Sequence, residues 1–90
     1  MAPHLTGDYT NMKRQFLAYV KAYEAVLDAA AYADMHNLWD PNNTTKAKVP
    51  VSNGHVGVSN GNLTNWINVY RNKKGMVHGS PGNPPSSKSN

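Results

Sequence analysis

From Asp8 to Leu38 the large apolar residues fall three or four positions apart, and this periodicity constrains the fold more than any other feature of the chain. Tyr9, Met12, Phe16, Tyr19, Val20, Tyr23, Leu27, Ala30, Ala31 and Leu38 gather on about a third of the circumference of a 3.6-residue helix. Asp8 offers a capping side chain at one end, and Pro41 forces Asp40 out of helical geometry at the other. The spacing therefore predicts an amphipathic helix over residues 8–39. Such a helix is ~45 Å long, more than a small core can cover, so part of it is expected to project or to pack on another chain.

A second non-polar face sharpens that expectation. Ala18, Ala22, Ala25, Ala29 and Ala33 follow the same steps about half a turn from the bulky residues. Small side chains in a row let a neighbouring backbone approach closely. The bulky face then reads as the intramolecular core and the alanine row as an oligomer interface, while Asp34 interrupts the bulky face near its end.

The chain beyond the helix carries turn signals. Trp39 to Thr45 is a breaker cluster and reads as loop. Val51-Ser52-Asn53-Gly54 recurs as Val58-Ser59-Asn60-Gly61, and Asn-Gly suits the positive backbone angles of a type I′ turn. A short hairpin is expected over 47–58 with Pro50 on an edge, because proline has no ladder donor. Residues 62–74 fit two conformations. Leu63, Trp66, Ile67 and Tyr70 fit a helix that Lys73-Lys74-Gly75 would end, which is the favoured assignment, whereas Thr64, Trp66, Ile67, Val69 and Tyr70 suit a third strand. From Met76 onward Gly, Pro, Ser and Asn dominate, and a flexible tail over 76–90 is expected. The resulting fold class is α+β, mostly helical, with one small domain over 1–75.

Charge is unevenly distributed. Residues 1–40 hold all five acids against three cations, and residues 41–90 hold six cations and no acid. Lys46, Lys48, Arg71, Lys73 and Lys74 are the candidate contacts to an anionic partner, with Trp66 and Tyr70 nearby as faces for unstacked bases. The same asymmetry suits head-to-tail packing of identical subunits.

Chemistry-bearing motifs are few. The chain has no cysteine, which removes disulfides and thiolate metal sites. Gly57-Val58-Ser59-Asn60-Gly61 matches a nucleophile elbow, but that motif needs a strand before it and a helix after it. His36, His55 and His78 have no metal-ligand spacing. Asn42-Asn43-Thr44-Thr45 and Asn62-Leu63-Thr64 satisfy the glycosylation sequon, which means little without a secretory leader. No catalytic, cofactor-binding or metal residues are assigned, and no small-molecule substrate is evident.

No cationic start leads into an apolar run, and no stretch is long enough to span a membrane. A soluble protein is expected, in a virion or the cytoplasm. The leading functional expectation is a non-enzymatic, self-associating subunit of a virion, filament or appendage, packing through its long helix on itself or another protein. The alternative is a small basic nucleic-acid-binding or regulatory protein using the cationic second half.

Overall fold

Valine, isoleucine and aromatic residues alternate with polar ones along residues 66–71, and that period-two pattern becomes the central strand of the protein. The computed structural model describes residues 15–52 and 54–84. Helix α1 (Ala22–His36) is followed by strands β1 (Trp39–Asp40), β2 (Asn43–Pro50), β3 (Gly57–Ser59), β4 (Asn62–Thr64), β5 (Trp66–Arg71) and β6 (Val77–Gly82). Four strands form an antiparallel sheet in the order β1-β2-β5-β6, and β3 and β4 form a separate two-stranded ribbon. Strand accounts for 42% and helix for 23% of the described residues, so the mostly helical fold class is corrected to a small β-rich one.

The helix is half the length that the periodicity predicts, 15 residues against 8–39. Its upstream limit has a cause in tertiary structure. Phe16 is buried and bridges Gly57, and the Leu17 N–H donates to the Val56 carbonyl at 2.7 Å, so the backbone here serves the ribbon rather than a helix. Lys21 is extended, and α1 starts after it. At the other end Asn37 takes the left-handed conformation, with its own N–H and that of Leu38 both donating to the Ala33 carbonyl. The expected first turns over residues 8–14 lie outside the described residues.

The faces of the helix are also exchanged relative to expectation. Ala22, Ala29, Ala30 and Ala33 are buried with Val26, while Tyr23, Tyr32 and Met35 are exposed. The reason is proximity. A Cβ added to Gly79 of β6 would lie 3.1 Å from Val26 Cγ2, so Gly79 leaves the room that Val26 fills, and the alanines around Val26 let the helix lie close to the sheet. Ala47 and Val49 of β2, Ile67 and Val69 of β5 and Val77 of β6 supply the sheet's half of the core.

Three further expectations are corrected. The strand, not the helix, is what 62–71 forms, split at Asn65, whose Nδ2 donates to the Val51 carbonyl at 3.0 Å. The hairpin over 47–58 is absent, because β2 pairs with β5, with Lys46 opposite Tyr70 and Val49 opposite Ile67. It is the second Asn-Gly pair that turns a hairpin, Asn60 and Gly61 having φ of 52° and 82° between β3 and β4. The expected tail supplies β6, an edge strand of the sheet, through Val77–Gly82; residues 85–90 lie outside the described residues.

Each free edge of the sheet carries a proline where it blocks further pairing. The Val51 N–H donates to Asn65, so ladder alternation points the Pro50 nitrogen away from β5, beyond the end of the two-residue β1. The Asn72 N–H donates to Met76, and the same alternation points the Pro81 nitrogen outward from β6. An incoming strand would find a missing donor on either side.

Candidate functional site

Alternation along the strands sorts the side chains onto two faces. Ala47, Val49, Ile67, Val69, Arg71 and Val77 turn toward the helix; Lys46, Lys48, Trp66, Asn68, Tyr70 and His78 turn away from it. Pairing register then brings together residues distant in sequence. Lys46, Tyr70 and His78 form one cross-strand row, and Lys48, Asn68 and Ser80 form the next. Tyr70 and His78 stack with ring centroids 4.9 Å apart and planes inclined by 20°.

The Lys48 ammonium donates to Asn68 Oδ1 and to the Asn83 carbonyl, both at 3.0 Å. Neither acceptor is charged, so the positive charge is positioned without being neutralised. Asn68 occupies space that only a glycine leaves: a Cβ on Gly82 would come within 2.3 Å of its amide nitrogen. Along β5, Trp66 stands four residues from Tyr70, roughly 13 Å at strand spacing, and gives the face a second large ring.

Beside this row lies a cleft of about 600 Å³. Tyr70, Lys46, Lys48 and Asn68 form one side, and Leu38, Asp40 and Pro41 form the other. Asp40 Oδ1 accepts the Asn42 N–H at 2.8 Å, which fixes the turn between β1 and β2 and holds the carboxylate at the cleft.

Lys73 and Lys74 sit at the tip of the β5–β6 hairpin, at the Tyr70 end of the face. Asn72 builds that tip: its Oδ1 accepts the N–H of Lys74 (2.8 Å) and of Met76 (3.1 Å), and Gly75 supplies a φ of 82°. The run Lys73-Lys74-Gly75 thus ends a strand rather than a helix. Arg71 lies on the opposite face. Its guanidinium stacks 4.0 Å above the Trp39 ring and contacts Asp34 at 3.0 Å, while Trp39 Nε1 donates to the same carboxylate oxygen at 2.7 Å. Asp34, an interruption in the sequence pattern, therefore ties the end of α1 to β1 and β5.

Of the alanine row, Ala22, Ala29 and Ala33 are buried within the protein, Ala25 is half-buried and Ala18 is exposed ahead of the helix. Ala25 and Ala29 border a groove of about 530 Å³ between α1 and the end of β2, with Tyr19, Tyr32, Glu24 and Asp28 around it. Ser59 ends a strand that leads into the Asn60-Gly61 turn and a second strand, not a helix. Among the described residues no three His, Asp or Glu side chains come together as a metal site, and no helix is long and apolar enough to cross a membrane.

Sequence reasoning singled out Lys46, Lys48, Trp66 and Tyr70 but linked neither Asp40 nor His78 to them. The alternation of Trp66, Asn68 and Tyr70 with Ile67 and Val69 was the available signal for a two-faced strand; nothing local announces the register that adds His78. Comparison with known proteins gives no match, whether to family models, curated proteins or solved structures.

Proposed function

We propose that the protein binds single-stranded nucleic acid across the open face of its sheet. The observation that carries this reading is the cross-strand row in which Lys46 stands beside the stacked rings of Tyr70 and His78. Lysines attract phosphates, and aromatic faces hold unstacked bases, which a duplex does not expose. Lys46 and Lys48 are two residues apart on β2, roughly 6.6 Å at strand spacing, close to the separation of successive phosphates in an extended strand. The acids Glu24, Asp28 and Asp34 are all on α1, on the other side of the sheet, which leaves Asp40, among the described residues, as the acid beside these lysines.

Fluorescence anisotropy with labelled single-stranded oligonucleotides of about twelve nucleotides tests the reading. The expected result is an affinity that falls steeply between about 50 and 200 mM salt, with the Lys46→Ala/Lys48→Ala double variant weakening binding and lowering the salt slope by about 1 to 2. Binding that ignores salt, or a double variant that binds as wild type, overturns it.

A second reading, self-association, is favoured by the groove between α1 and β2. Its occupant would be another copy of the chain, whose Lys73-Lys74 hairpin tip complements Glu24 and Asp28, with Tyr19 and Tyr32 providing apolar area. Light scattering on a concentration series is expected to show a mass above 9.8 kDa that Glu24→Lys/Asp28→Lys returns to the monomer value. A constant monomer mass for wild type removes it.

A further inference from the structure

Tyr70 has two ring faces, and the sheet treats them differently. β6 and β2 flank β5 on opposite sides, so with His78 stacked on one face of the ring the other looks toward β2 and the cleft. Across the cleft stand Leu38 and Pro41, two apolar side chains with no polar demand of their own. A flat aromatic wall facing an apolar one, with two lysines alongside, is the arrangement that holds a single unstacked base between side chains. The cleft's 600 Å³ has room for a nucleobase and part of its sugar.

Asp40 is the residue that a phosphate-binding cleft does not explain. A carboxylate repels the phosphates that Lys46 and Lys48 attract, yet the β1–β2 turn holds it at the same cleft. A carboxylate accepts hydrogen bonds and donates none, and it binds best to two parallel N–H donors. Among the bases, guanine alone presents two adjacent N–H donors on its Watson–Crick edge. Adenine and cytosine offer one amino group, beside an acceptor that the carboxylate would repel.

Resting on the reading of the open face as a single-strand platform, we propose that this cleft is a base-specific pocket that takes guanine, with Tyr70 stacking the base and Asp40 reading its N1–H and N2–H edge. Lys46 and Lys48 hold the flanking phosphates.

Competition of labelled oligonucleotide by the four nucleoside monophosphates, and by short strands carrying one guanine among thymines or uracils, tests the assignment. GMP is expected to compete about tenfold better than AMP, CMP or UMP, and Asp40→Asn to abolish that preference while tightening the salt-dependent binding of a thymine strand, because a charge that repels phosphates is removed. Asparagine keeps a side-chain carbonyl for the Asn42 N–H, so the turn survives the substitution; an unchanged far-UV spectrum and melting midpoint verify this. Tyr70→Ala weakens all four competitors together. A wild type that binds strands in a salt-dependent way but ranks the four nucleotides equally overturns the pocket and spares the platform, as does an Asp40→Asn variant that still prefers GMP. A wild type that binds no strand at all overturns both.

Discussion

Ile67→Ala is expected to remove much of the protein's stability. Ile67 is fully buried at the centre of β5, with Val49 of β2 opposite on one side, Pro81 of β6 on the other and α1 above. Truncation deletes three carbons and leaves a cavity that a sheet hydrogen-bonded on both sides cannot close by collapse, at a cost of about 2–5 kcal/mol. A chain of 90 residues has a total stability of about 5–13 kcal/mol, so the loss is a large fraction of the whole. In urea denaturation followed by circular dichroism the midpoint should fall by about 1–3 M with little change in slope. Ile67→Val, which keeps most of the volume, should cost only about 0.5–1.5 kcal/mol. Equal midpoints for wild type and Ile67→Ala would mean that β5 is not the centre of the core.

Gly79→Val is the second large effect. A Cβ at this position would lie 2.9 Å from the Asn68 carbonyl oxygen and 3.1 and 3.4 Å from the two methyls of Val26. One obstacle is backbone of the neighbouring strand and the other is a fully buried side chain of the helix, so neither yields by a rotamer change. The helix must lift from the sheet, at a cost of about 1–3 kcal/mol or more. Because the clash is shared, its partner can relieve it. Val26→Ala opens space where the new side chain arrives, and the double variant Gly79→Ala/Val26→Ala should be more stable than the sum of its single changes by about 1 kcal/mol. Strict additivity would show that α1 does not rest on β6 at this point.

These two sites also show why the sequence was legible in some places and not in others. The helical character of residues 22–36 and the turn propensity of Asn60-Gly61 are local properties, stored in a few neighbouring residues. Which helix face is inside is not local. Tyr23 and Tyr32 outrank alanine in apolar area, but the space above Gly79 takes Val26 with alanines around it, and that space exists only once β6 is in the sheet. β6 itself, Val-His-Gly-Ser-Pro-Gly, has the composition of a loop. It becomes a strand because Val77 is buried, Gly79 permits the helix, and Pro81 falls where its missing donor faces outward. The candidate site follows the same division: Lys46, Lys48 and Tyr70 were identifiable by residue type, while His78 joins them through strand pairing and Asp40 through the cleft it lines with them.

By itself, then, the sequence determined a helix core, a tight Asn-Gly turn, an acidic first half and a basic second half, because propensity and charge belong to residues one at a time. Only the tertiary structure decided that 62–71 is strand, that the alanines face inward, that Lys46, Tyr70 and His78 form one cross-strand row and that Asp40 lines the cleft beside it. Local preferences for helix and strand in these segments differ by less than the free energy of burying Ile67, Val69 and Val77 against partners far away in the chain, so burial set the outcome.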